Sequence, residues 1–401
     1  MSAFYQLLVL GNGFDLECGL ASTFNDFEIP RLQDLPSRLG SKGVTVWDLV
    51  LQDSRRNRSW FDVESSMGEW LGPSSPHIDK IMTAAAGYLR SRAEGEKVLD
   101  SPADPDRFLH MDAEGQVAAI IVDRYGWTGG EDKHTLYDCF MDQLHIFERE
   151  FSDYLRGQVA SDPEYSRRCH KLITALINDR LPDPNSLRPW EEKPELIEYD
   201  GNGKQFKGHP ENVSLLDFNY TDPFAGLRDC PSLANIHGNL TDGDIVFGID
   251  GSNLSASDPD YADIVKFTKT FRLMALRRES NITVIHPYVM GRPGNETDII
   301  KFYGHSLGPA DYSYFQSLFD TVDLYESQTR LVFYYNENRR NGGPSAGGGS
   351  PSNGGAAGEM YEKVNRLMTR YGETLDNESH GRNLLHKLLL EGRLSVAPSP
   401  R

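Results

Sequence analysis

The opening residues constrain this chain most. An apolar run, Tyr5-Gln6-Leu7-Leu8-Val9-Leu10, stops at Gly11-Asn12-Gly13-Phe14-Asp15-Leu16. A short aliphatic run closed by glycines predicts a buried strand, a tight turn and then a helix over Phe14–Cys18. Glycines let the backbone approach a ligand closely, and a doubly wound sheet binds nucleotides just outside the carboxyl ends of its strands. The same pattern also makes turns that bind nothing, so the turn alone does not decide.

The pattern returns later. Val213–Phe218 precedes Asn219, Leu233–Ile236 precedes His237-Gly238, and Ile245–Ile249 follows as another predicted strand. Ile299–Tyr303 ends in Gly304, a helix follows over Asp311–Phe319, and Arg330–Tyr335 reads as the final strand. Helices are predicted over Trp60–Leu71, His77–Arg92, Pro163–Leu181 and Asp258–Ser280. Leu136, Phe140, Leu144, Phe147, Phe151 and Leu155 recur at three- and four-residue spacing, the mark of an amphipathic helix packed on a core.

Short strands that end in polar or glycine turns, with helices between them, predict an α/β fold. The expected architecture is a Rossmann-like, mostly parallel, doubly wound sheet with an inserted helical layer and a small helical C-terminal tail. Its domain spans residues 1–340, with the insertion at about 60–181. A Gly/Ser-rich flexible loop or linker occupies 341–358, and a short helical segment 359–401. Within that segment Tyr361–Arg370 and Arg382–Leu390 read as helices, while Pro182–Pro210 reads as a surface excursion.

The 401 residues carry a formal charge of −18, which opposes broad attraction to nucleic acid or acidic lipid. No apolar stretch approaches the roughly 20 residues that span a bilayer. Cys18, Cys139, Cys169 and Cys230 are scattered, with no Cys-x-x-Cys pair, which suits reduced thiols and offers no zinc ribbon. The expectation is a cytoplasmic protein without metal or membrane, whose partner is a small-molecule nucleotide; homo-oligomerisation stays open.

Four predicted strand ends place small or polar groups where such a sheet presents a ligand. If the strands are neighbours, Asn12, Asp15, Asn219, His237 and His305 converge on one crevice. Each has a plainer role beside the functional one. His237 is a base titrating near neutrality or a hydrogen-bonded strand-end residue. Asn219 holds a ligand or forms an Asx-turn. Asp15 reaches ribose hydroxyls or answers the dipole of its own helix. His305 binds a ligand or braces the Gly304–Gly308 turn.

Taken together, GNGFDL at Gly11–Leu16, GLASTFNDF at Gly19–Phe27, FDVE at Phe61–Glu64, FNYTDPF at Phe218–Phe224, IHGN at Ile236–Asn239 and YGHSLGPAD at Tyr303–Asp311 resemble the AbiH family. That family is linked to bacteriophage abortive infection, and the likeness covers roughly residues 5–320. Trp60, Asp62 and Glu64 share in it without a chemical role to assign; metal-ligand spacing is absent around them.

More distantly, the same segments resemble the dinucleotide site of sirtuin-like domains. That resemblance implies that Gly11, Gly13 and Asp15 line the phosphate and ribose side; Asn12, Asp222 and His305, at the same strand ends, are further candidate cofactor-binding residues. Asn219 would hold the ribose hydroxyls and the attacking water, His237 would be the general base, and Gly304 and Ser306 would close the pocket. The implied reaction is hydrolysis of NAD, as substrate, or of a related nucleotide at its N-glycosidic bond. Loss of the cofactor would halt an infected cell once a phage-derived trigger acts.

Two departures narrow this. The zinc-ribbon cysteines are absent, which weighs against a protein deacylase, and Asp222 stands three residues after Asn219 rather than two. Leu16 also occupies the place of a third dehydrogenase glycine, which disfavours hydride transfer. The alternatives are a non-catalytic nucleotide sensor acting through a partner, and an RNA-cleaving toxin using His237, His305 and Asp222. The acidic balance weighs against the last.

Overall fold

The structure, a computed structural model, describes residues 4–40, 43–57, 63–93, 108–179, 198–199, 206–207, 212–224, 232–251, 254–276, 284–287, 296–337, 355–375 and 381–400. Trp60, Asp62, Cys230, most of the 182–210 excursion and residues 342–354 of the glycine-rich tract lie outside the described residues. The chain divides into two compact units. The first comprises Met1–Ala21, Val159–Asp242 and Glu279–Arg401, the second Ser22–Gln158 and Gly243–Arg278.

The first unit is built on a six-stranded, all-parallel sheet. Its strands are β1 (Tyr5–Leu10), β2 (Val213–Asp217), β3 (Ser232–Asn235), β4 (Thr297–Tyr303), β5 (Arg330–Tyr335) and β6 (Leu394–Pro398). They lie in the order β6-β5-β4-β1-β2-β3. The chain therefore runs outward from β1 through β2 to β3, then returns to the far side of β1. That return creates a topological switch between β1 and β4, where open α/β sheets bind their ligands.

Alternation along the strands splits the core between two faces. Leu7, Val9, Leu216, Ile300, Phe302, Leu331 and Phe333 face Phe315, Leu318 and Phe319 of the Tyr312–Thr321 helix. The same layer takes Leu367, Met368 and Tyr371 from the Gly355–Glu373 helix, and Leu384 and Leu388 from Leu384–Leu390. On the opposite face Leu8, Leu10, Leu215 and Val332 meet Phe14, Cys18 and the Tyr165–Asn178 helix through Tyr165, Cys169, Ile173 and Leu176. Helices on both faces make the sheet doubly wound, as the sequence predicts.

Alternation also delivers one charge into the second layer. Lys301 is buried, and its Nζ donates to the carbonyls of Leu176 at 2.6 Å and Asp179 at 2.8 Å, and to Gln6 Oε1 at 2.8 Å. The end of a helix leaves carbonyls unpaired and carries partial negative charge, so a buried ammonium is matched there.

The strand predicted as final, Arg330–Tyr335, is followed by one more. Leu394–Pro398 pairs in parallel with β5, register Leu394↔Leu331 to Pro398↔Tyr335. Arg393, just before it, is buried and donates to the carbonyls of Leu324 (2.8 Å) and Thr329 (3.3 Å). The tail is thus helical, and its last segment also closes the sheet edge.

The second unit is helical over Phe24–Gln33, Leu35–Gly40, Val46–Asn57, Val63–Leu71, His77–Ala93, Ala113–Tyr125 and most of Lys133–Ser161. All six residues of the predicted apolar stripe from Leu136 to Leu155 are buried. A capping box at Thr23 and Asp26 starts Phe24–Gln33. Buried charges are paired: Arg31 Nε with Asp48 at 2.8 Å, Lys269 with Glu64 at 2.8 Å, and Arg272 with Glu148.

Two expected elements differ here. Strand geometry in the Ile245–Ile249 run is confined to Asp244–Ile245, with an isolated bridge from Ile249 to Thr268. Phe247 spends its backbone on side chains instead: its N–H donates to Glu148 Oε1 at 2.8 Å and its carbonyl accepts from Arg272 at 2.7 Å. The expected Asp258–Ser280 helix divides into Tyr261–Ile264, a 3-10 turn and Lys269–Ala275. Extended Thr268 interrupts it and caps the second piece, its hydroxyl accepting from Phe271 N–H. Among the described residues no helix is long and apolar enough to cross a membrane.

Candidate functional site

The site lies in the first unit, at the carboxyl ends of β1, β2, β3 and β4. Register pairs Leu10 with Tyr303, so the turns after β1 and β4 leave the sheet side by side. Gly11 N–H donates to the Tyr303 carbonyl at 2.9 Å and Gly13 N–H to the Gly304 carbonyl at 2.8 Å. A Cβ on Gly11 would lie 2.5 Å from His305 Cα, and one on Gly13 2.6 Å from Gly304 Cα. Gly304 itself has φ +69°. The glycines therefore pack the two turns main chain to main chain, with Asn12 exposed between them.

On one side of this seam lies a buried acid and hydroxyl cluster. Asp15 is 1% exposed; Tyr165 Oη donates to its Oδ1 at 2.8 Å and Thr221 Oγ1 to its Oδ2 at 2.7 Å. Burial pushes its carboxyl from the usual 3.8 up to about 6, against the lowering effect of those two bonds. Asp217 is also fully buried, and burial followed by the nearby Asp15 charge raises it well above its usual value.

An acid that binds its proton more tightly in the folded state favours folding below its unfolded pKa. That contribution is lost as pH rises from about 3.8 through about 6. For Asp15 the loss amounts to about 3 kcal/mol. Denaturation of Asp15→Asn across this range should show the variant gaining about that much on wild type between about pH 3 and pH 7. Parallel stability curves would show that Asp15 is ionised as readily folded as unfolded.

Asn219 follows from Asp217. The Asn219 N–H donates to Asp217 Oδ1 at 2.9 Å, an Asx-turn made by the aspartate two residues earlier. The Asn219 Oδ1 is buried and has no hydrogen-bond partner among the described residues. An acceptor left in that state costs about 1–3 kcal/mol, so a water or ligand group that donates to it is favoured there.

On the other side of the seam two imidazoles share one carboxylate. His237 Nε2 is 3.1 Å from Asp311 Oδ1, and His305 Nε2 is 3.5 Å from Asp311 Oδ2. The His305 Nδ1 accepts from Leu307 N–H at 2.9 Å. The Phe218 ring stands edge to face with both, centroids 5.5 Å from His237 and 4.6 Å from His305. Ile236 N–H bonds to the Asp217 carbonyl and Leu240 N–H to that of Tyr220, which clamps the His237 turn onto the Asn219 turn. Ser306 Oγ accepts from Gly308 N–H at 3.3 Å within its own turn.

The structure thus joins Gly11, Gly13, Gly304 and His305 in one seam, and His237 to His305 through Asp311. Asp15 is held by Thr221 and Tyr165, while Asn219 is held by Asp217, whose carboxyl also feels the charge of Asp222. Sequence reasoning gave no role to Asp311, Asp217, Thr221 or Tyr165. Asp311 closes the YGHSLGPAD segment and Asp217 sits two residues before Asn219, so both had a local signal. Tyr165 had none, since it reaches Asp15 from 150 residues away. Among the described residues no group of three or more His, Cys, Asp or Glu is placed to hold a metal ion.

No curated protein and no solved structure matches the chain significantly. One family model does, described as Bacteriophage abortive infection AbiH, and it spans residues 7–335, which take in both sides of the site and five of the six strands. This match supports a role in abortive infection of phage-infected cells. On its strength the chain belongs to the AbiH family.

Proposed function

We propose that the protein is an abortive-infection effector that binds NAD or a related nucleotide over the β1–β4 seam and hydrolyses its N-glycosidic bond. The observation that carries this reading is the buried, unpartnered Oδ1 of Asn219 beside a topological switch. Such an acceptor suits a ribose hydroxyl or an ordered attacking water. The reaction passes through an oxocarbenium-like state, as other glycosidic cleavages do. Water oxygen bonds to the ribose C1′, the C1′–N electron pair leaves with nicotinamide, and His237 receives the proton of the water. Depletion of the nucleotide pool would then stop the infected cell.

The test is direct. Purified protein incubated with NAD, alone and with extract of phage-infected cells, should release nicotinamide and ADP-ribose in equal amounts. No product in either condition, with RNA cleaved instead, would move the assignment to the toxin reading.

One observation favours a second reading. Both oxygens of Asp15 are engaged by Tyr165 and Thr221, and His305 Nδ1 by Leu307, so these groups are held by the protein itself. Groups bonded to one another in this way suit a sensor that binds a nucleotide intact and acts through a partner. In that case NAD raises the melting temperature and is recovered unchanged.

A further inference from the structure

Resting on the reading of His237 as the base, we propose that Asp311 is its positioning residue and that the proton is taken up at Nδ1 of His237. The argument starts at His305. Because Leu307 N–H donates to Nδ1 of that ring, the neutral ring carries its hydrogen on Nε2, which faces Asp311 Oδ2. Leu307 has φ 56°, a left-handed conformation that costs a leucine about 1–2 kcal/mol. That conformation accompanies the turn of its N–H onto the ring.

One carboxylate oxygen thus meets a fixed donor. With Asp311 ionised, both of its oxygens only accept hydrogen bonds, and Oδ1, 3.1 Å from His237 Nε2, then places the hydrogen of His237 on Nε2 as well. The lone pair of neutral His237 is then on Nδ1. When that nitrogen takes the proton of the water, the new imidazolium lies against the Asp311 charge and is stabilised by it. Asp311 ends a 3-10 turn, Pro309–Asp311, that leads into the Tyr312–Thr321 helix, so its backbone is set by that helix. Among the described residues, Tyr220, with its ring 5.9 Å from His237, joins His305 and Asp311 as titratable groups placed near the base.

Long-range proton–nitrogen correlation spectra of the histidine rings, assigned by comparison with His237→Gln, test the tautomer in the wild-type protein. The expected result is a neutral His237 with hydrogen on Nε2; hydrogen on Nδ1 overturns the proposal. This measurement needs no turnover. If wild type releases no nicotinamide, the hydrolase reading fails by itself and the spectra still decide the role of Asp311.

Where turnover is present, Asp311→Asn should lower kcat on the order of 10²- to 10⁴-fold with KM within about threefold. The acidic limb of the pH–rate profile should also shift to lower pH, since the amide does not stabilise imidazolium. Asp311→Glu, which keeps the charge, should recover part of kcat and return the limb toward its wild-type position. An unchanged kcat and pH profile in Asp311→Asn overturns the proposal. If that variant does not fold, the wild-type spectra and Asp311→Glu decide.

Discussion

Substitution of His237 by Gln should reduce nicotinamide release by roughly 10²- to 10⁴-fold, the usual contribution of a general base. Glutamine fills much of the space and keeps a donor for Asp311, so the fold around Phe218 and His305 should survive. Asn219→Ala should give a comparable loss for a different reason, because the hydroxyl or water that its carbonyl oxygen would hold loses its acceptor. The two variants separate by binding. NAD should still stabilise His237→Gln against heat, whereas Asn219→Ala should lose part of that stabilisation. Because the Asn219 Oδ1 is unpartnered in the protein alone, its removal should not cost folding stability through that oxygen. Full nicotinamide release by both variants would remove the catalytic assignment and leave the family membership standing.

Truncation after Glu337 should be the most damaging change to the fold. It deletes Val364, Leu367, Met368, Tyr371, Leu384 and Leu388, all buried against the first core layer. At about 1.5–3 kcal/mol for each buried side chain, their loss is of the order of 10 kcal/mol. That rivals the entire net stability of an ordinary domain, about 5–15 kcal/mol. Removal of β6 also exposes β5 as a free edge of Leu331-Val332-Phe333-Tyr334, an apolar strand prone to pair with other chains. The expected product is aggregated or lacks a cooperative thermal transition, as read by light scattering and calorimetry. A truncated chain that melts as sharply as the intact protein would show that the tail is an appendage.

The sheet was legible because its strands are short, aliphatic and closed by glycine or asparagine. Leu7-Leu8-Val9-Leu10 and Ile299-Ile300 leave little else for the chain to do. The long helix was legible because Leu136 to Leu155 keep one face through five turns. β6 was not, since Leu-Ser-Val-Ala-Pro is short, mixed and ends in proline; its place is decided by the Arg393 anchor and by pairing with β5. The helices Phe24–Gln33 and Val46–Asn57 escaped notice although Thr23-Asn25-Asp26 offers a capping signal. Pro30 inside the first of them weakened the pattern. The run at Ile245–Ile249 misled because burial alone favours apolar residues, while its backbone bonds go to Glu148 and Arg272.

At the site, the residues named from turns stand at the strand ends, but their partners were hidden. Tyr165 and Thr221 approach Asp15 through the tertiary fold, and Asp311 meets His237 across 74 residues of chain. Periodicity and spacing speak for one element at a time. They carry no information on which carboxylate will face which imidazole.

The seam of Gly11, Gly13 and Gly304 has a consequence for how such a protein diversifies. Where two turns touch backbone to backbone, anything resting over them meets peptide groups, which mutation does not alter, and beside them the one exposed side chain of Asn12. Changes in preference for one ligand over another must therefore be written into the flanking walls, and the ground beneath stays common to every descendant that keeps this strand order.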